Sequence, residues 1–176
     1  KYGPQLAYSF MGKNFSYAQT DSLSRALGAY LQSLGLAKGD RVAIMLPNVP
    51  QFAVTMAGIL RAGYTCVNVN PLYTARELEH QLKDSGATTI VILENFAHTL
   101  QSVIDKTPIT TVVVASMGDL LGAMYGRWIT FAVRHLAKMV PAYEIPLTNG
   151  RKVVPFTEVM SKGASLQLKP STANLD

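Results

Sequence analysis

The chain has 176 residues, 48% of them hydrophobic and 15% charged, enough apolar side chain for one buried core and too much for a disordered class. Its formal charge of +5 is uneven: residues 1–126 carry nine basic and eight acidic side chains, residues 127–176 seven and three. That excess sits in the last third and is too small to demand nucleic acid. The single cysteine, Cys66, excludes an internal disulfide or a multi-cysteine metal site and points to a reducing compartment.

"LAYSFMGKNFSY" reads as a hairpin turning at Gly12–Asn14. A helix follows from Tyr17 to Leu34, with Leu23, Leu27, Leu31 and Leu34 at three- and four-residue spacing and Gly35 as its stop. Arg41–Leu46 is the first strand of a sheet. Pro50 opens a helix to Ala62, where its missing N–H costs nothing. Residues 42–60 contain no charge, yet Pro47, Asn48, Pro50 and Gln51 interrupt them, so they read as strand, loop and buried helix, not as a membrane span.

Thr65–Val69 is a second strand, and Cys66 within it reads as a small buried hydrophobe. A helix over Thr74–Lys83 and the strand "TTIVIL" follow. Asn95 is expected to cap a fourth helix carrying Phe96, Leu100, Val103 and Ile104 on one face. Thr110–Ala115 is a fourth strand. The strands are continuous β-branched runs alternating with helices. That predicts an α/β fold: a mostly parallel sheet with helices on both faces, plus the N-terminal hairpin.

Met117–Val140 lacks a strand signal and reads as one long helix ended by Pro141. At about 100° per residue Arg127, Arg134 and Lys138 share one face. Leu121, Tyr125, Trp128, Ile129, Val133 and Leu136 fall opposite. Such a basic amphipathic helix can lie in a membrane interface or pack on the body. Residues 141–176 read as irregular, with one or two helical turns at "FTEVMSKG". The expected division is a βα-repeat subdomain over 1–116, the basic helix over 117–140 and an irregular segment over 141–176. The missing initial Met and the ending "LQLKPSTANLD" suggest a piece of a longer protein.

No G-x-G-x-x-G or G-x-x-x-x-G-K-[ST] follows any strand, and the turns "PNVP", "NPLYT", "ENFA" and "SMGD" are not glycine-rich. His80, His98 and His135 fall on separate helices without metal spacing, and no strained serine elbow is present. The turn "NPLYTAREL" is the remaining candidate. Thr74 and Glu77 fit a capping box, which satisfies two orphan donors and argues against a phosphate cradle there. The turn nevertheless lies at the carboxyl end of a parallel strand, the edge where ligands of such sheets dock.

The segments "GDRVAIMLPN", "GILRAG", "VNVNPLYTARELEHQLKDSGA" and "NFAHTL" resemble the N-terminal part of bacterial long-chain fatty acid–CoA ligases, members of the adenylate-forming (AMP-binding) superfamily. The resemblance covers essentially the whole chain, less sharply from Met117 onward. It implies a two-step reaction in which a fatty acid carboxylate attacks ATP with Mg²⁺ to give an acyl adenylate and pyrophosphate, and coenzyme A then displaces AMP. The family's phosphate loop is expected just beyond "KPSTANLD". No catalytic or metal residue therefore carries over, and the chain alone is expected to be inactive and to hold no cofactor stably. The resemblance places the nucleotide end of coenzyme A near Asn70, Pro71, Leu72 and Tyr73. It implies a cytoplasmic enzyme, peripheral at the inner face of the membrane, with contact to anionic lipid through Arg127, Trp128, Ile129, Arg134 and Lys138. It leaves a homodimer open. A different acyl- or aryl-adenylating ligase, or a stand-alone docking module, are the competing readings.

Overall fold

The computed structural model describes residues 2–170. Strands β1 (Leu6–Phe10) and β2 (Lys13–Ser16) pair antiparallel, with Phe10 opposite Lys13. The turn between them is Met11–Gly12, earlier than expected. Both residues have positive φ, 46° and 77°, the two-residue geometry whose twist matches a hairpin. Helix α1 (Tyr17–Ser33) starts from a capping box: Ser16 accepts from the Gln19 amide and the Gln19 side chain accepts from the Ser16 amide.

The expected rhythm follows: β3 (Arg41–Met45), α2 (Pro50–Arg61), β4 (Thr65–Asn68), α3 (Ala75–Ser85), β5 (Thr89–Leu93), α4 (Ala97–Gln101) and β6 (Thr111–Ala115). Pro50 occupies the first turn of α2, and Gly86 closes α3 in the left-handed region at φ 62°. The fourth helix differs from expectation. It is a five-residue α4 between 3₁₀ turns at Glu94–Phe96 and Ile104–Lys106. Asn95 does not cap it, because its side chain donates to the Met139 carbonyl at 2.9 Å. The apolar face still holds: Leu100, Val103 and Ile104 are buried.

The stretch expected to be irregular supplies a further strand, and the helical turns expected at "FTEVMSKG" form a nine-residue helix. Strand β7 (Lys152–Pro155) pairs with β6, and α6 (Phe156–Ala164) packs on α1 through Gly163, which lies against the Ala26 carbonyl. The four-residue strand has only Val153 and Val154 as a β-branched signal, and Pro155 ends it. Its position is secured by Arg151, buried and donating to the carbonyls of Ile109, Pro146 and Ile104 and to Asp105. Residues 171–176, the approach to the expected phosphate loop, lie outside the described residues.

The five strands are all parallel, in the order β4-β3-β5-β6-β7. Val42, Ile44, Val91, Leu93 and Val113 face a core shared with α1, α2 and α6. Ala43, Met45, Ile90, Ile92 and Val112 face a second core with α3 and α4. Burial on both faces is why the central strands β3, β5 and β6 read as unbroken apolar runs. The chain steps from β3 outward to β4, then crosses back over to β5. The order therefore reverses between β3 and β5, the switch point at which ligand crevices open in such sheets.

Candidate functional site

A polar network spans the carboxyl edge at this switch point. Gln51, fully buried in the first turn of α2, reaches past the end of β5 and donates through Nε2 to the carbonyls of Ser116 (2.8 Å) and Asp119 (3.2 Å) beyond β6. Glu94, immediately after β5 and 0% exposed, accepts at Oε2 from Arg134 Nε (2.7 Å) and Nη2. Arg134 Nη2 also meets the Ser116 hydroxyl at 3.4 Å. The Glu94 bond holds the Arg134 pKa above its ordinary value. A buried carboxylate of this kind persists only because it is paired.

The turn after β6 is fastened from several sides. Asp119 Oδ2 accepts from the Ser116 amide at 2.8 Å, and Lys13 Nζ of the hairpin donates to the Leu120 carbonyl at 2.6 Å. Burial pushes the Asp119 carboxyl up to about 6, against the pull of the Ser116 amide and Arg134 and with the push of Glu94. The backbones of Gly118 and Gly126 touch so closely that a Cβ on either would collide with the other's carbonyl. This contact seats helix α5 (Ala123–Phe131), which continues as a π-helical turn over Ala132–Leu136.

The long helix expected over 117–140 is therefore much shorter. Residues 116–122 form turns, Leu120 and Gly122 have positive φ, and Lys138, at φ 51°, lies past the helical end. The wider π turn rephases the side chains after Phe131, so the simple wheel fails. Ile129 is 8% exposed and packs with Phe15 and Leu121, so it is not on an outer face, whereas Arg134 is tied to Glu94 with 45% of its side chain still exposed. Trp128 (59%), Leu136 (67%) and Met124 (81%) are exposed instead, beside the exposed Arg127 and Lys138.

Between the 116–122 turn and the α5–π face lies an open cleft of about 650 Å³. Arg127, Arg134 and His135 line one side, Ser116 and Leu120 the other, with Lys13 at the hairpin end. The Phe131 and His135 rings meet with centroids 4.9 Å apart. Neither Arg127 nor His135 has an ion-pair partner among the described residues.

The turn "NPLYT" sits at the same edge, beyond the outermost strand β4. Asn70 Oδ1 accepts from the Leu72 amide at 3.0 Å, and its carbonyl accepts from the Tyr73 amide at 3.1 Å. The capping box is formed: Glu77 Oε2 accepts from the Thr74 amide (2.8 Å) and hydroxyl (2.7 Å), and Thr74 Oγ1 accepts from the Glu77 amide. Those bonds lower the Glu77 pKa. Tyr73 is half-buried against the second core, whereas Leu72 is 82% exposed. His80 and His98 are exposed and make no hydrogen bond to the network, and Cys66 is half-buried with its thiol pushed up by burial. Among the described residues no three His, Cys, Asp or Glu side chains could hold a metal ion. No helix of the described residues is long and apolar enough to cross a membrane.

Sequence reasoning missed Gln51, Glu94, Ser116 and Asp119. One signal was available: the acidic residue of "TTIVILE" directly follows an unbroken apolar strand, and a carboxylate buried at such a sheet edge needs a partner. The partner, forty residues on, carried no such mark.

A family model described as AMP-binding enzyme matches residues 1–127. A long-chain-fatty-acid–CoA ligase of Yersinia pestis is 47% identical over 178 residues, covering 100% of this chain and 31% of its own length. A ligase of the same description from Escherichia coli O157:H7 is 47% identical over 172 residues, covering 97% and 30%. The chain thus spans about 30% of the length of the curated relatives it matches. Among solved structures, a long-chain-fatty-acid–CoA ligase from Archaeoglobus fulgidus shares the fold with TM-score 0.63 at 22% identity, over 95% of this chain and 27% of that one. An α/β sheet with this switch point, matched by the family model over more than half its length, places the chain in the AMP-binding enzyme family.

Proposed function

We propose that the chain is the N-terminal part of a long-chain fatty acid–CoA ligase. In that enzyme ATP, with Mg²⁺, activates a fatty acid as its acyl adenylate and coenzyme A takes the acyl group. The observation that carries this is the 47% identity to long-chain ligases along essentially the entire chain. On this reading residues 1–116 are scaffold, 117–140 a surface segment, and 141–176 the lead toward the rest of the enzyme, with β7 and α6 completing the scaffold. The phosphate loop, adenine pocket and acyl tunnel belong to the remainder. The test is a chimera in which this chain replaces the matching third of the Yersinia relative. Oleoyl-CoA formation within about tenfold of the parent is expected, with none from the isolated chain. A folded chimera without turnover, or turnover by the isolated chain, refutes the reading.

The coenzyme A vicinity is part of this proposal. With Tyr73 packed inward and Leu72 outward, Leu72 is the apolar group that the Asn70–Pro71 turn offers to an adenine. In the chimera Leu72→Ala should raise KM for coenzyme A severalfold while leaving KM for ATP alone. Equal shifts in both would remove the idea.

We also propose peripheral contact of the cytoplasmic enzyme with anionic membrane. Met124, Trp128 and Leu136 are the exposed apolar groups that support it, with Arg127 and Lys138 beside them. Of the other residues expected at this contact from sequence, Ile129 is buried in the fold, and Arg134 holds Glu94 with 45% of its side chain exposed. Vesicle flotation should drop at least threefold in Met124→Ser/Trp128→Ser. Unchanged flotation would refute membrane contact through this ridge.

A further inference from the structure

We propose that the outer face of α2 is a docking surface for the remainder of the longer polypeptide, which packs there on Ala53, Met56, Ala57 and Leu60. These four recur at the three- and four-residue spacing of one helix face. The opposite face carries Val54, Thr55, Gly58 and Ile59, all buried. On the outer face Met56 is 36% and Leu60 56% exposed, with Ala53 and Ala57 half-buried. Helix α2 carries no charge before Arg61, and Arg61 meets Asp21 of α1 at 2.6 Å. A helix with apolar groups on every side belongs in an interior, and the described residues cover only one side of this one.

The place where the chain leaves the body names the occupant. The chain spans 31% and 30% of its curated relatives, so more than two-thirds of such a polypeptide lies outside it. After α6, Leu168 lies against Gly28 of α1. Gln32 then holds the backbone of Lys169 with both ends of its amide: Oε1 accepts from the Lys169 amide at 2.9 Å and Nε2 donates to the Lys169 carbonyl at 3.1 Å. The same Nε2 donates to the carbonyl of Ala62, at the C-terminal end of α2, at 3.4 Å. Lys169 and α2 are therefore joined through one side chain, and the continuing polypeptide starts next to the uncovered face.

Other occupants fit less well. An anionic bilayer is drawn by cations beside the apolar groups, as Arg127 and Lys138 stand beside Trp128, whereas the one cation of α2, Arg61, is paired with Asp21. A second copy would need a larger patch: four side chains are far fewer than the roughly 20–30 residues a side of a stable interface between separate molecules. A covalently joined segment needs less, because the linkage gives it a high effective concentration. Beside the stripe, Ala57 and Arg61 face Tyr17 and Ala18 of α1 across a shallow groove of about 460 Å³, room for the apolar side chains of a segment laid along α2.

The test compares the 176-residue chain with the chimera. Both are treated with hydrogen peroxide, and sulfoxide at each methionine is read by mass spectrometry. Met56 should oxidise at least tenfold more slowly in the chimera, while Met124, 81% exposed on α5, changes less than twofold. Leu60→Asp, at an exposed position, should leave the urea midpoint of the 176-residue chain unchanged. In the chimera it should return Met56 oxidation to within threefold of the free chain, with far-UV circular dichroism checking the fold. Equal Met56 oxidation in chain and chimera would overturn the proposal. So would protection of Met56 in the 176-residue chain as its concentration rises, which assigns the face to a second copy, or on adding anionic vesicles, which assigns it to lipid. The proposal rests on the reading that a longer ligase continues this chain, but oxidation is read without turnover. A folded, inactive chimera therefore refutes that reading alone, and a chimera that fails to fold counts against both.

Discussion

Between Tyr17 and Ala115 most helices carry their own start or stop in sequence. Between Ser116 and Val140 almost none does. Helix α1 has the Ser16/Gln19 box, α2 has Pro50, and α3 has the Thr74/Glu77 box and Gly86. Helix α5 begins at Gly122 with no side-chain cap, and the π turn has none either. What holds this segment arrives from far along the chain: Gln51 to Ser116, Lys13 to Leu120, Glu94 to Arg134 and Asn95 to Met139. The body is built by local rules reinforced by burial. The segment is built on a sheet edge that must already exist, and so its stability should be separable from that of the body.

The sharpest way to test that separation is to damage each region alone. Leu78 is fully buried between α3 and the sheet. Leu78→Ala should cost about 3–4 kcal/mol, lost transfer energy plus a cavity. Far-UV dichroism and Trp128 emission should shift together, because losing the sheet removes the platform of the segment. Arg134→Ala should cost about 3 kcal/mol by leaving Glu94 buried and unpaired. Here Trp128 emission should change at lower urea than the dichroism. Coincident transitions in Arg134→Ala would show that segment and body unfold as one unit.

The same division explains what the sequence made legible. The four sheet strands β3 to β6, the helices α1 to α3 and the buried faces followed from β-branched runs, three- and four-residue spacing and helix caps. Helix α4 was misread at its start because Asn95, a good cap by type, is used by Met139 instead. The long helix over 117–140 was misread because periodicity cannot show a π turn, nor that Arg134 answers a carboxylate forty residues earlier. Strand β7 was missed because four residues ending in proline carry little pattern, and it is the buried Arg151 that fixes them. At the candidate site the "NPLYTAREL" turn was read correctly as a box-capped helix start. The Gln51–Glu94–Asp119 network was invisible because its members are far apart in sequence and meet only at the edge of a formed sheet.

A smaller effect separates the regions by pH. The Asp119 carboxyl, raised by burial to about 6, binds a proton more readily in the folded chain. Its contribution is present below about pH 4 and is lost as pH rises through 6. Asp119→Asn should remove that loss, raising stability by about 2 kcal/mol at pH 7.5 and little at pH 4. The gain should show in the Trp128 transition first. A variant less stable than the parent at pH 7.5 would mean that the Ser116 amide bond outweighs the burial cost.

The finest test uses the two capping boxes of the body, which differ in the charge of the residue that closes them. The α1 box closes with the neutral Gln19, the α3 box with the carboxylate of Glu77. Ser16→Ala and Thr74→Ala should each cost about 1 kcal/mol at pH 7, the usual worth of a hydroxyl cap. Glu77 has its pKa lowered by the Thr74 bonds, so its contribution is present above its ordinary value near 4.5 and is lost as pH falls through the lowered one. The Thr74→Ala penalty should therefore shrink in acid, while the Ser16→Ala penalty stays level. Urea denaturation of both variants at pH 7 and pH 3 measures this, provided the parent still unfolds cooperatively at the lower pH. If the two penalties fall in parallel, the loss in acid belongs to the whole body, and the charge on Glu77 adds nothing to the turn that a neutral Gln does not.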